Sequence, residues 1–254
     1  MGVTESQVGE SQRDSQSSSQ SNYQSKSQRS TEVQALFNRI APVYDQLNDW
    51  LSFGQHKVWK LMAVQWSGAA LGDCCLDVCC GSGDLARLLA KQVKSQGQVY
   101  GVDFSVQQLQ VAKETTPPHL AIEWLEGDAL ALPLADNYFD AATMGYGLRN
   151  VVDIPQALGE LYRVLKPGAK AAILDFHQPQ SSLVNDFQQW YLENIVVPMA
   201  ERFNFTEEYA YLAPSLARFP SGREQVSLAK SAGFTEVVHY SIAFGLMGVL
   251  VAQK

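Results

Sequence analysis

The run Leu76-Asp77-Val78-Cys79-Cys80-Gly81-Ser82-Gly83-Asp84-Leu85 places an apolar strand, a glycine turn and the start of a helix within ten residues. Gly81 and Gly83 let the backbone turn tightly and leave room for a ligand against the main chain. Asp77 stands inside the apolar part, where a carboxylate is costly unless it has a partner. The unit therefore points to a nucleoside-containing cofactor, and a cationic one suits Asp77.

The segments after it alternate. Strands are expected at 74–80, 98–104, 121–125, 140–144 and 171–176, with helices at 84–94, 106–114 and 154–165. Lys166-Pro167-Gly168 reads as a turn before the fifth strand. Such alternation implies a parallel, doubly wound, Rossmann-like α/β sheet. The ending differs. A helix at 223–232, with Ser221 as its cap, precedes strands at 234–242 and 246–252 joined by a short glycine-containing link. These read as an antiparallel pair, giving a mostly parallel sheet of seven strands.

Around this core, five regions are expected. Residues 1–30 hold ten Ser and six Gln with almost no apolar side chains, a composition that cannot offset its ordering entropy. Residues 31–73 form an N-terminal helical cap, beginning with Val33, Leu36, Phe37 and Ile40 at helical spacing and continuing in an amphipathic stretch over 47–64. Residues 74–180 are the nucleoside-binding core. Residues 181–220 are a helical insertion, with eight aromatic residues between Phe187 and Phe219. Residues 221–254 complete the sheet.

Composition excludes some classes of function. A net charge of −7 argues against broad nucleic-acid binding, which needs a basic surface. The longest apolar run, 242–252, is well short of the ~20 residues that span a bilayer. The four cysteines fall as two adjacent pairs, Cys74-Cys75 and Cys79-Cys80, with no second Cys/His cluster to complete a metal site. No metal is expected. The cysteines read as buried strand residues whose free thiols suit a reducing, cytoplasmic compartment.

The choice of nucleoside rests on carboxylates. Asp103, at the end of the second strand and about 20 residues beyond the turn, suits ribose hydroxyls. Gly81-x-Gly83-x-x-Ala86 also satisfies the dehydrogenase fingerprint, so an NAD-dependent oxidoreductase is the competing reading. NAD brings a pyrophosphate to this turn, where Asp77 would not help. S-adenosylmethionine brings an ammonium and a sulfonium, which favour a buried carboxylate. Asp128, after the third strand, could accept from an adenine amino group.

Several segments together resemble the ubiquinone/menaquinone C-methyltransferase family. They are Phe37-Asn38-Arg39-Ile40-Ala41-Pro42-Val43-Tyr44-Asp45-Gln46-Leu47-Asn48, Leu51-Ser52-Phe53-Gly54-Gln55-His56, the glycine turn, Tyr146-Gly147-Leu148-Arg149-Asn150-Val151, and Arg163-Val164-Leu165-Lys166-Pro167-Gly168. The likeness spans about 33–254, and its Cys-Cys-Gly-Ser-Gly turn looks like the phototroph branch, which acts on 2-phytyl-1,4-naphthoquinone. The resemblance implies a class I methyltransferase with S-adenosylmethionine contacts at Ser82, Asp103, Asp128 and Ala129 and near Gly145, where the family often has Ser. Asp77, Gly81 and Gly83 follow from the residues as well.

The resemblance implies a prenylated naphthoquinol as substrate, with menaquinone or ubiquinone precursors as alternatives. It makes Arg149 the catalytic candidate, orienting water and stabilising an oxyanion rather than acting as a base. Tyr44 is a second candidate, by hydrogen bonding to acceptor or cofactor, against an equal reading as a core tyrosine. His177, after the fifth strand, is an alternative proton acceptor. The aromatic insertion suits a lid over a naphthoquinone and its tail, or equally a core cap or a homodimer face. A substrate with a phytyl tail implies peripheral contact with a membrane.

Overall fold

The computed structural model describes residues 54–177 and 212–254, together with residues 31, 33–35, 38, 39, 186, 190, 194 and 198. The expected 1–30 tail, Tyr44 and about two thirds of the aromatic insertion lie outside the described residues.

Seven strands form one sheet: β1 (Cys74–Val78), β2 (Gln98–Asp103), β3 (Ile122–Glu126), β4 (Phe139–Gly145), β5 (Leu165–Phe176), β6 (Glu236–Ile242) and β7 (Met247–Gln253). Their order is β3-β2-β1-β4-β5-β7-β6. The first five are parallel, and β7 lies antiparallel between β5 and β6. The order reverses at β1/β4, the switch point where sheets of this kind open a crevice for ligands.

Among the described residues six α-helices accompany them: α1 (His56–Trp66), α2 (Asp84–Val93), α3 (Val106–Thr115), α4 (Ile154–Val164), α5 (Leu212–Arg218) and α6 (Gly222–Ser231). Three of them begin on a side-chain cap for the orphan amides of the first turn. Ser105 caps α3 and Asp153 caps α4. Ser221 and Glu224 form a reciprocal capping box on α6.

Alternation along the strands splits the core into two layers. Leu76, Val78, Ala142, Met144 and Ile173 point to one face and pack with Leu158 and Leu161 of α4. Cys75, Ala141, Ala172 and Leu174 point to the other and pack with Ala63 and Val64 of α1 and Leu89 and Val93 of α2. The central strands are thus buried on both sides, as parallel sheets are, and read as continuous apolar runs.

Two expectations need correcting. The first strand ends at Val78, not Cys80. Val78 is the last residue to pair with both β2 and β4, and beyond it Cys79 takes a left-handed conformation with φ 54°. Cys79 and Cys80 are therefore turn residues, and only Cys74 and Cys75 are strand residues. The fifth strand begins at Leu165, earlier than expected. Phe139 pairs with Leu165 but Ala141 with Lys170, so the Lys-Pro-Gly segment bulges out of a continuous strand. Gly168, at φ 83°, makes the bend, and its amide donates to the Lys254 carbonyl at 2.9 Å.

The family-like Arg163 and Lys166 are structural. The Arg163 guanidinium donates to the carbonyls of Leu132 and Leu134 and to the carboxylates of Asp136 and Glu160, fastening the loop before β4 to α4. Lys166 donates to Asp140 at 2.6 Å.

One packing contact fixes the turn from the far edge of the sheet. The Trp124 indole of β3 lies across Gly83 and Gly101, and a Cβ at Gly101 would stand 2.5 Å from its ring. Gly101→Ala is expected to lower unfolding free energy by roughly 1–3 kcal/mol, seen as a lower urea midpoint at unchanged m. Adding Trp124→Leu should recover at least half of that loss; no recovery would mean that the indole is not the obstacle.

Candidate functional site

The C-terminal ends of β1, β2 and β4 surround a cavity of about 980 Å³, counting the part open to solvent. Asp77, Gly81, Ser82, Asp103, Asp128, Ala129 and Gly145 all line it. Val33 also lines it, and beside it Gln34 Nε2 donates to the Phe104 carbonyl at 2.5 Å.

The glycine turn is held by β2. Cys80 donates its amide to the Val102 carbonyl at 3.0 Å, and Gly81 donates to Asp103 Oδ2 at 2.8 Å. Asp103 Oδ1 accepts from the Ser105 amide at 2.9 Å. Burial pushes the Asp103 carboxyl up to about 6, against the pull of these backbone donors. Ser82 is buried, and its carbonyl accepts from Arg87 Nη1 at 2.7 Å. Asp128, by contrast, is exposed, its Oδ1 accepting from the Leu130 amide at 2.9 Å.

Gly83 does not line the cavity, contrary to expectation. It has φ 90°, caps α2, and faces the Trp124 ring, which stands 2.3 Å from where a Cβ would be. It shapes the turn by close packing against that indole. Gly145 does line the cavity, and a Cβ there would meet Leu85 Cδ1 at 2.6 Å. A serine at this position would require Leu85 to move.

Asp77 is strained electrostatically. It is fully buried; Oδ1 accepts from Thr143 Oγ1 at 2.8 Å, while Oδ2 makes no hydrogen bond of good geometry. Burial raises its pKa to about 7, opposed by the Thr143 hydroxyl, the Ala86 amide and the Lys60 charge. A carboxylate with an open oxygen at the wall of a cavity calls for a cation. Among the described lining residues, Asp84, Asp103 and Asp128 add to this acidic character and Lys60 is the single cation.

Arg149 is placed differently from expectation. It lies outside the lining of this cavity and lines an adjoining recess, with Val151 and Val152 shared between the two. Its buried guanidinium stands 3.5 Å from Asp175 Oδ1 and 4.8 Å from the Phe176 ring centroid. Its own amide donates to Asp175 Oδ2 at 3.1 Å, so side chain and backbone clasp one carboxylate. Nη1 has no hydrogen-bond partner. Asn150, which the motif reading passed over, does line the cavity; its Nδ2 donates to the Tyr146 carbonyl at 2.8 Å and its Oδ1 is unpartnered. The signal for it was its place beside Arg149 in the same motif.

His177 does not line the cavity. Its buried ring stacks on His239 with centroids 4.9 Å apart, and burial lowers its pKa. Among the described residues no group of His, Cys, Asp and Glu side chains could hold a metal ion. Burial raises the thiol pKa at both cysteine pairs, so the thiols stay protonated near neutrality.

A carboxyl whose pKa rises on folding contributes stability that is complete below its unfolded value, 3.8, and is lost as pH rises through the folded value. For Asp77 that window runs up to about pH 7. In ligand-free protein, Asp77→Asn should therefore stabilise more at pH 8 than at pH 5, by roughly 2–3 kcal/mol, measured by urea unfolding. An equal effect at both values would mean that Asp77 does not titrate in this window.

Comparison with known proteins gives the family. Residues 23–254 match the model of the ubiE/COQ5 methyltransferase family. The chain is 61% identical over 228 residues to a "2-phytyl-1,4-naphtoquinone methyltransferase" of Trichormus variabilis, covering 89% of this chain and all of that one. It is 62% identical to the protein of that name from Synechocystis, covering 87% and 94%. It is 53% identical to a chloroplastic protein from Arabidopsis thaliana named as a 2-phytyl-1,4-beta-naphthoquinone methyltransferase, covering 89% and 88%. A SAM-dependent methyltransferase from Thermotoga maritima superposes with a TM-score of 0.61 at 23% identity, over 87% of this chain and 99% of that one. The [4+2]-cyclase SpnF superposes equally well, with a TM-score of 0.61 at 18% identity over 87% and 96%, so the shared fold alone does not specify the reaction. The sequence match shows the family: the chain belongs to the ubiE/COQ5 methyltransferase family.

Proposed function

We propose that this enzyme transfers a methyl group from S-adenosylmethionine to a ring carbon of reduced 2-phytyl-1,4-naphthoquinone, a methylation step in phylloquinone synthesis. The observation that carries the donor is Asp77, a fully buried carboxylate with one open oxygen in the cavity wall. The acceptor rests on relatives about 60% identical over most of the chain that are named for 2-phytyl-1,4-naphtoquinone.

The lining residues fit such a donor. Asp77 would take the positive methionyl end, Asp103 the ribose hydroxyls, and Asp128 and Ala129 the adenine, with the backbone of Gly81 and Ser82 lining the same cavity. Gly145 keeps the β4 side of the cavity open. When bound, S-adenosylmethionine supplies an electrophilic methyl group on a positively charged sulfur.

The acceptor must be a carbon nucleophile. An oxidised quinone ring is electron-poor, whereas a quinol that has lost a hydroxyl proton places electron density on its ring carbons. The protein's task is to favour that anion and hold the ring in line. A guanidinium is no base in a protein, so Arg149 is assigned to stabilising the oxyanion and orienting the water that takes the proton. Asp175 and Phe176 hold its guanidinium from two sides, and both Nε and Nη1 are left without a hydrogen-bond partner. Tyr44 is the second group assigned to the acceptor, through its hydroxyl. The phytyl tail reaches the site from a membrane surface; no described helix is long and apolar enough to cross one.

Two measurements test this reading. With labelled methyl donor and 2-phytyl-1,4-naphthoquinone, turnover should require dithionite, and equal turnover of the oxidised quinone would refute the quinol assignment. Removing Arg149 alone strands Asp175 as a buried charge, at a cost of roughly 3–5 kcal/mol. The informative variant is therefore Arg149→Gln with Asp175→Asn. It should bind S-adenosylhomocysteine within about twofold of the wild type yet turn over about a hundredfold more slowly; unchanged turnover would remove Arg149 from the mechanism.

A further inference from the structure

Lys60 is an unusual lining residue. It belongs to α1, before the sheet begins, yet its side chain is only 8% exposed and reaches the cavity shared with Asp77. A buried ammonium has three donors to satisfy. One hydrogen bond is present, from Nζ to Asp84 Oδ2 at 2.6 Å. Asp84 is itself braced by Arg87, and burial, which would raise its pKa, is outweighed by the two cations, so it stays ionised. The Lys60 charge also reaches Asp77, whose acidity it strengthens.

Two buried groups of opposite sign thus share one end of an otherwise acidic cavity, each with bonding capacity left over. Asp77 has an open acceptor oxygen and Lys60 has open donors. A simple cation would use Asp77 and be repelled by Lys60. A zwitterionic α-amino acid group uses both, its ammonium toward the carboxylate and its carboxylate toward the ammonium.

We propose that Lys60 is the carboxylate-binding residue of the cofactor site, paired with Asp77 in recognising the methionyl end of S-adenosylmethionine. The proposal rests on the cofactor reading above. It assigns α1 a direct part in binding, and makes the Lys60–Asp84 contact the device that aims the ammonium from α1 across to the start of α2.

The test is calorimetric and needs no turnover. Wild-type protein is titrated with S-adenosylhomocysteine and with its decarboxylated analogue, S-adenosyl-3-thiopropylamine, which keeps the adenosine, the thioether and the amine. The wild type should bind the carboxylate-bearing ligand at least tenfold more tightly. Lys60→Met should abolish that preference, weakening S-adenosylhomocysteine at least tenfold while leaving the analogue within about twofold. Lys60→Arg should retain the preference. Where Lys60→Met does not fold, Lys60→Gln makes the same comparison while keeping a hydrogen bond to Asp84. Equal binding of the two ligands by the wild type would overturn the proposal, as would a variant that weakens both ligands alike. Failure of the wild type to bind either ligand would instead refute the cofactor reading itself.

Discussion

The Asp103 carboxylate ties three pieces of chain into one corner. It takes the Gly81 amide on one oxygen and the Ser105 amide on the other. The glycine turn, the end of β2 and the cap of α3 are thereby locked at fixed separation, and Ser105 passes the constraint on by accepting from the Gln108 amide at 3.2 Å. The cavity exists because this corner cannot close up. Trp124 reinforces it from outside by filling the space that side chains at Gly83 and Gly101 would have taken.

Charge runs through the site as a second constraint. Asp77, Asp103 and Asp175 are all nearly or fully buried, and burial raises the pKa of each. Folding alone does not satisfy them equally. Asp103 has two backbone donors and Asp175 has Arg149, whereas Asp77 has one hydroxyl and an open oxygen. The protein carries an unrelieved electrostatic penalty at the place where a cationic ligand would relieve it. Stability is spent there on affinity, as binding sites often require.

Much of this was legible in the sequence, for local reasons. Apolar runs bounded by turn residues gave the parallel strands, and Ser221 announced the last helix. Seven of the eight expected cofactor residues line one cavity because all of them sit at strand ends or in the turn after β1. What was not legible depends on residues far apart in the chain. Gly83 looked like a ligand contact because nothing local betrays the indole of Trp124 above it. Arg149 looked free because its carboxylate partner, Asp175, arrives a strand and a helix later. Lys60 precedes the sheet, so no motif ties it to Asp77. Cys79 and Cys80 continued an apolar run, yet the backbone had already left the sheet. Nor does a hairpin-like pair of terminal strands reveal that the second of them inserts between the first and β5.

That insertion sets an order of assembly. β6 pairs only with β7, so when β6 leaves the ribosome it has no place in the sheet to occupy. Until β7 follows, β5 presents a bare edge of Ala171, Ala172, Ile173 and Leu174, the kind of edge that invites pairing with another chain. The nascent core must therefore wait, half-finished, on its last strand to be made. Chaperone dependence during synthesis would then track the delay between β5 and β7 rather than the stability of the finished fold.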